Sequence, residues 1–370
     1  MIETGWVKED LDKFEKKFAV ELGRLGEKIP HYAKAGHYTQ DMVEEDITWW
    51  TNGFLGGILW QLADYSGKNF YVRRAEKLEE QLDGAMLVFN GLHHDVGFMW
   101  LHTAVAHYRR LPNPHSKSRA LHAATLLAGR FNLKGGYLRS WNGDNQTWVI
   151  IDSLMNLPLL YWATQTTGDE RFELMARTHA DKVLENHLRA DGSVNHIVIF
   201  DEAGELKETP AGQGYEPGSA WTRGQAWAIY GFALSYVHSK DQRYLDAAKQ
   251  VAHYFIANLD EGMIPPVDFR APEEPLKYDT SAGLCAACGL LEISEHVATH
   301  EKTLYQNAAI KMIRAISKKA ADWDLDTDGI IGYGTGAYHD EQSLHVSLIY
   351  SDYYYLEALL RLNGTYQLMW

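Results

Sequence analysis

The chain has 370 residues, 46% of them hydrophobic, which suffices for a sizeable core and is too many for a disordered chain. Lys and Arg number 35 against 49 Asp and Glu, and the formal net charge of -14 argues against nucleic acid or an anionic membrane as partner. No apolar run reaches the length of a membrane span.

In chain order, Met1 leads into Ile2-Glu3-Thr4-Gly5-Trp6 with no basic or apolar leader segment, so a cytoplasmic protein is expected. Asp10 to Leu25 then reads as a charged amphipathic helix. More of the same kind follow at Asn69 to Leu82, Lys117 to Phe131, Glu170 to His187, Gln242 to Leu259 and Lys302 to Ala320. These later ones share an aromatic or Arg with Ala four residues on: Tyr71/Ala75, Arg119/Ala123, Phe172/Ala176, Tyr244/Ala248 and Tyr305/Ala309, with starts 48, 53, 72 and 61 residues apart. Between them lie helices rich in Gly, Ala, Leu and aromatics and nearly free of charge: Asn52 to Tyr65, Gly97 to Tyr108, Ser153 to Thr166, Arg223 to His238, Ser281 to Ile293 and Tyr353 to Leu362. A helix apolar on nearly all sides is buried, and an amphipathic one covers it. The alternation predicts an all-α fold, an (α/α)6 barrel of six helical hairpins forming a single domain over residues 1–370.

Each predicted inner helix is preceded by a polar or aromatic motif: Trp49-Trp50-Thr51-Asn52, His93-His94-Asp95, Ile151-Asp152-Ser153, Trp221-Thr222-Arg223, Tyr278-Asp279-Thr280 and Ser351-Asp352-Tyr353. In a barrel of hairpins these converge on one cleft. The loops add Tyr137 to Trp141, Val194-Asn195-His196 and Gln213-Gly214-Tyr215, and the long stretch Asp201 to Gly218 suits a function-bearing rim.

Asp152 follows the apolar run Thr147 to Ile151, where burial would raise its pKa and suit it to give and take a proton; it would equally serve as a plain helix cap, and Asp95 has the same two readings. Two acids at one mouth suggest a glycosidase. Arg223 between Trp221 and Trp227 offers a guanidinium fork for a carboxylate beside stacking faces, and the load of 12 tryptophans and 21 tyrosines exceeds what a core requires. His94 and His196 would orient a carboxylate or protonate a leaving oxygen, or serve structure only. No His-Glu-x-x-His occurs, Asp322 to Gly329 lacks the final Glu of a calcium loop and reads as an acidic turn, and no glycine fingerprint follows a strand, so neither metal nor cofactor is expected. Cys285 and Cys288 read as buried core thiols.

His93-His94-Asp95-Val96-Gly97-Phe98, Ile150-Ile151-Asp152 with Asn156 to Leu160, and Trp221-Thr222-Arg223-Gly224-Gln225-Ala226-Trp227 resemble the unsaturated glucuronyl hydrolases, glycoside hydrolase family 88, over nearly the whole chain. The resemblance implies removal of a 4,5-unsaturated uronic acid from lyase-generated glycosaminoglycan oligosaccharides by hydration of the C4=C5 bond. It also implies Asp152 as acid and base, Asp95 as second acid, and Trp50, His94, Trp141, His196, Gln213, Trp221, Arg223 and Trp227 around the terminal sugar. Ser351, with Ser347 and His345, would reach a sulfate beyond it or would merely be polar residues at a helix start. A monomer or weak homodimer is expected. The rival readings are an unsaturated rhamnogalacturonyl hydrolase, an N-acylglucosamine 2-epimerase-like isomerase and a noncatalytic sugar-binding barrel.

Overall fold

The computed structural model describes residues 5–88, 90–143 and 146–370; residues 1–4, where the sequence shows no leader segment, lie outside them. Helices dominate: α1 (Trp6–Leu25), α2 (Met42–Glu45), α3 (Phe54–Ser66), α4 (Asn69–Gln81), α5 (Val96–Trp100), α6 (Ala106–Arg110), α7 (Pro114–Ala128), α8 (Ser153–Asn156), α9 (Pro158–Thr167), α10 (Glu170–His187), α11 (Thr222–Ser239), α12 (Gln242–Ala257), α13 (Thr280–His296), α14 (Thr299–Ala320) and α15 (Ile349–Asn363). A π-helical turn, Leu101–Val105, joins α5 to α6. Pro158, which has no N–H to continue the ladder, separates α8 from α9.

The helices of low charge close a ring. Helix α3 packs against α6 and the π turn, α5 against α8 and α9, these against α11, then α11 against α13, α13 against α15, and α15 back against α3. Helices α1, α4, α7, α10, α12 and α14 sheathe them, on α15, α3, α5, α9, α11 and α13 respectively. This is the alternation of buried and amphipathic helices that the charge pattern demands. One core runs from Trp6 to Trp370. Close approach needs small residues: a Cβ on Gly97 would lie 2.5 Å from the Asn156 Cα, so only glycine lets α5 meet α8 there.

Short strands, which helical periodicity does not reveal, tie the rim loops. They are β1 (Tyr32–Ala33), β2 (Phe131–Asn132), β3 (Tyr137–Leu138), β4 (Trp148–Ile150), β5 (Ile197–Phe200), β6 (Leu206–Glu208) and β7 (Ser347–Leu348). All pair antiparallel, β1 with β7, β2 with β3, and β4–β5–β6 in one sheet. Several expected boundaries shift, the helices expected from Asp10 and Lys302 beginning at Trp6 and Thr299. The helix expected over Lys117 to Phe131 is α7, which begins at Pro114 and ends at Ala128, with Phe131 in β2. The last inner helix starts at Ile349, so Ser351-Asp352-Tyr353 lies inside it and is not its lead-in. Cys285 and Cys288 are free and fully buried, and burial pushes both thiols well above their usual range.

Candidate active site

The N-termini of the inner helices gather around a cavity of about 520 Å³. Its wall includes Trp50 ahead of α3, His93, His94 and Asp95 ahead of α5, Asp152 ahead of α8, Trp221, Arg223 and Trp227 at the start of α11, and Tyr350 in α15. Trp141, His196 and Gln213 reach it from the loops. The lead-in to α13 acts at one remove, because Asp279 there holds Arg223.

The same residue type sits at three helix starts and does two different things. Asp279 caps α13, accepting from the Ser281 N–H. Asp95 and Asp152 stand at the starts of α5 and α8 with no side-chain cap bond, so both carboxyls are turned to other partners. The plain helix-cap reading of Asp152 is thereby excluded.

The small sheet explains how they are turned. Pairing of β4 with β5 and the Ile151 N–H to His196 C=O bond of 3.0 Å set Asp152, just past the end of β4, and His196, just before β5, side by side at the cavity. His94 reaches in from the other side, with Nε2 at 2.8 Å from Asp152 Oδ1 and 3.2 Å from Asp95 Oδ1. Its Nδ1 lies 3.0 Å from the Ser140 carbonyl, which only accepts, so Nδ1 carries a proton. Asn156 donates from Nδ2 to Asp95 Oδ1 at 3.0 Å and accepts the Phe98 N–H at 2.8 Å, fixing the second carboxyl to the helix.

These contacts divide the charge. Burial opposes the His94 cation, but the carboxylates of Asp95 and Asp152 outweigh it and raise its pKa. Burial likewise opposes the Asp152 anion, but the adjacent imidazolium holds its pKa below the usual range. Asp95, buried and beside a second negative group, is pushed up to about 7. The proton-holding carboxyl near neutrality is therefore Asp95, whereas burial alone predicted Asp152. An opposite charge within hydrogen-bond distance overrides the cost of burial.

His196 is a neutral donor. Its Nδ1 has two neighbours, the Gln213 N–H at 3.0 Å and the Ala211 carbonyl at 3.3 Å; the shorter contact makes Nδ1 the acceptor and leaves the proton on Nε2, and burial lowers its pKa to about 4. Neither His196 Nε2 nor Trp221 Nε1 has a protein partner among the described residues, and the two rings are 4.3 Å apart. Arg223 is not the free fork expected. Its Nη1 donates to Asp279 and, at 2.6 Å, to the Thr335 carbonyl, its Nη2 donates to the Gly336 carbonyl, and its plane lies over Trp221 at 4.6 Å and Tyr350 at 5.5 Å. Two loops clasp across the rim, Gln213 Nε2 donating to Gly336 O at 2.7 Å and the Tyr338 N–H to Gln213 O at 2.9 Å.

Of the expected binding residues, Ser347 in β7 and His345, whose Nε2 accepts the Tyr278 N–H at 2.9 Å, are not brought to the cavity, and neither is Ser351. It is fully buried inside α15 and its hydroxyl has no partner among the described residues. Wall residues that the sequence reading did not name as binding residues include His31, Trp49, His93, Tyr350 and the rim residues Asp340 and Gln342. Three of them carried a signal, since Trp49 and His93 belong to motifs that lead into inner helices and Tyr350 directly precedes Ser351-Asp352-Tyr353.

A closed ring of helices with two carboxyls and an aromatic wall at its mouth is the build of a glycoside hydrolase. No protein-family model matches the chain. It is 37% identical over 361 residues to the unsaturated glucuronyl hydrolase of Bacillus sp. (strain GL1), covering 93% of each. It is 35% identical over 335 residues to the unsaturated chondroitin disaccharide hydrolase of Streptococcus pyogenes serotype M1, covering 88% of this chain and 84% of that one. The crystal structure of the Bacillus sp. GL1 enzyme matches with a TM-score of 0.92 at 34% identity, over 96% of both chains. The chain belongs to the unsaturated glucuronyl hydrolase family. Its relatives do not favour the rhamnogalacturonyl or epimerase readings.

Proposed function

We propose that Asp152 gives and takes the proton in a hydration reaction that removes the 4,5-unsaturated uronic acid from the non-reducing end of glycosaminoglycan disaccharides and short oligosaccharides. The observation that carries this role is an uncapped carboxyl at the cavity wall, 2.8 Å from an imidazole N–H that can refill it.

The His94 proton passes from Nε2 to Asp152 Oδ1, and the carboxylic acid so formed delivers it to C4 of the enol ether. Positive charge then develops at C5 and the ring oxygen, in a site where Asp152 is once more an anion. Water adds to C5 and yields its proton to that carboxylate. The hemiketal opens, and the exposed hemiacetal at C1 releases the second sugar as an alcohol and leaves a keto acid. Overall one water is consumed and no redox change occurs. Asp95, protonated near neutrality, hydrogen-bonds to sugar hydroxyls without setting a second negative charge beside Asp152.

The uronate carboxylate accepts from His196 Nε2–H and Trp221 Nε1–H, two adjacent wall donors without a partner among the described residues. Arg223, its charge balanced by Asp279, supplies a flat cationic face. Trp50, Trp141 and Trp227 pack the sugar faces and exclude water. The continuous core from Trp6 to Trp370 supports a single catalytic domain, and two free thiols fit a reducing, cytoplasmic setting. The assembly is read as a monomer or weak homodimer.

The test is the near-ultraviolet absorbance of unsaturated chondroitin, hyaluronan and heparin disaccharides incubated with the purified protein. Steady loss of the C4=C5 chromophore is expected, and the ranking of the disaccharides names the substrate. An unchanged signal on all of them overturns the reading.

A further inference from the structure

His93 has no place in the reaction above, yet it lines the same cavity and faces the same carboxylate. His93, His94 and Asp95 each offer a donor atom within 4.8 Å of the others. A tetrahedral zinc ion with ligands at about 2.1 Å sets its donors about 3.4 Å apart. Here His93 Nδ1 is 3.5 Å from Asp95 Oδ2, and His94 Nε2 is 3.2 Å from Asp95 Oδ1. Asp152 Oδ1, 2.8 Å from the same His94 nitrogen, lies beside this cluster as the proton's other partner.

The surroundings have the form that metal ligands need. A ligating histidine characteristically donates its other N–H to a carbonyl or carboxylate, and ligating carboxylates are themselves hydrogen-bonded. His94 Nδ1 faces the Ser140 carbonyl at 3.0 Å, which aims Nε2 at the cavity. Asp95 is held by Asn156 Nδ2 at 3.0 Å. Nitrogen and carboxylate donors without thiolate suit zinc and its neighbours over calcium or magnesium.

We propose that this cluster is an inhibitory site for a divalent transition-metal ion such as Zn²⁺, competing with the unsaturated uronate. The ion takes the His94 lone pair in exchange for the proton that Asp152 needs and ties up Asp95, so a loaded enzyme has neither its acid nor room for the sugar. His93 makes the site selective for metal, because it contributes to the ion and not to the reaction.

Chelator-treated enzyme titrated with Zn²⁺ should lose activity competitively with substrate and regain it on adding chelator. His93→Ala should need at least about tenfold more Zn²⁺ for the same fractional loss of its own activity, the scale on which losing part of a metal site weakens it. His300→Ala, at a side chain 82% exposed and outside the cluster, should change nothing. Co²⁺ gives a readout independent of turnover: visible absorption of a site with nitrogen and oxygen ligands is expected in the wild type and absent in His93→Ala and Asp95→Asn. Retained inhibition in His93→Ala, bands of cobalt bound to thiolate, or no spectrum and no inhibition would each overturn the proposal, whatever becomes of the hydration reaction.

Discussion

Two clusters of buried acids invite comparison. At the cavity, Asp95 and Asp152 share one imidazole. At the seam between α1 and α15, Glu21 and Asp352 are also buried but meet backbone instead, Glu21 Oε2 accepting the Gly329 N–H at 2.8 Å and Asp352 accepting from Ile330 and Ile331, while Asp328 beside them is held by the Arg24 guanidinium at 2.6 Å. Burial pushes Asp352 up to about 7, as it does Asp95. An altered pKa therefore does not mark the site. What separates the two is the partner: fixed amides, and for Asp328 a permanently charged guanidinium, bind the seam carboxyls for good, whereas the cavity carboxyls share a mobile proton beside open space. At the edge of the seam the acidic turn carries its own cation, for Lys17 Nζ lies 3.0 Å from both Asp322 O and Thr327 Oγ1, with its side chain 1% exposed.

Removing the proton carrier should break the cavity cluster and spare the fold. Asp152→Asn is expected to lose at least about 3 kcal/mol of transition-state stabilisation, roughly a hundredfold or more in kcat/KM, with an unchanged melting temperature. Activity within tenfold of wild type sinks the assignment. Lys17→Met should do the reverse. It costs about 2 kcal/mol of stability, less than a fully enclosed pair because Asp322 reaches water, and leaves kcat/KM of the folded protein intact. Thermal melts paired with chromophore assays on both variants separate the two roles.

The pH response sharpens the comparison further. Asp352 has its folded pKa raised from the ordinary 3.8 to about 7, so its folded form binds the extra proton. Its contribution is complete below pH about 4 and is lost as pH rises through about 7. Asp352→Asn should therefore make the fall in melting temperature over that interval shallower, while costing about 1–2 kcal/mol for the lost acceptor. Asp95 titrates over the same interval but reports in the rate: kcat/KM should decline as pH rises past about 7, and Asp352→Asn should leave that limb where it is.

Much of the architecture was legible because charge pattern follows burial. The expected Glu170 to His187 is α10 to the residue, as Asp169 caps its start by accepting from the Arg171 N–H. Where both sides of a helix are buried, pattern gives no edge, and there polar residues mislead. Ser351-Asp352 looked like a helix start because such residues cap helices, yet Asp352 satisfies amides of the chain passing beside it. The cavity acids were legible as residues but not as charges. Which of Asp95 and Asp152 keeps its proton depends on His94 lying 2.8 Å from one and 3.2 Å from the other. Strand β5, which carries the chain on from His196, pairs with β4 from the far side of three intervening helices, Ile199 lying opposite Trp148, and Asn156 reaches Asp95 across a gap of 61 positions. Contacts of that range leave no mark in local periodicity.

Ser351 gives the smallest effect and the cleanest check of that lesson. Were it a sulfate ligand, Ser351→Ala would raise KM for sulfated disaccharides and leave unsulfated ones alone. Its hydroxyl is instead sealed inside α15 with no acceptor or donor in reach among the described residues. Removing an unpaired buried hydroxyl relieves a desolvation cost while leaving a small void, so the two effects nearly cancel. Ser351→Ala is expected to shift stability by less than about 1 kcal/mol in either direction. KM should stay the same on sulfated and unsulfated substrates alike, and a selective rise on the sulfated ones would return Ser351 to the binding site.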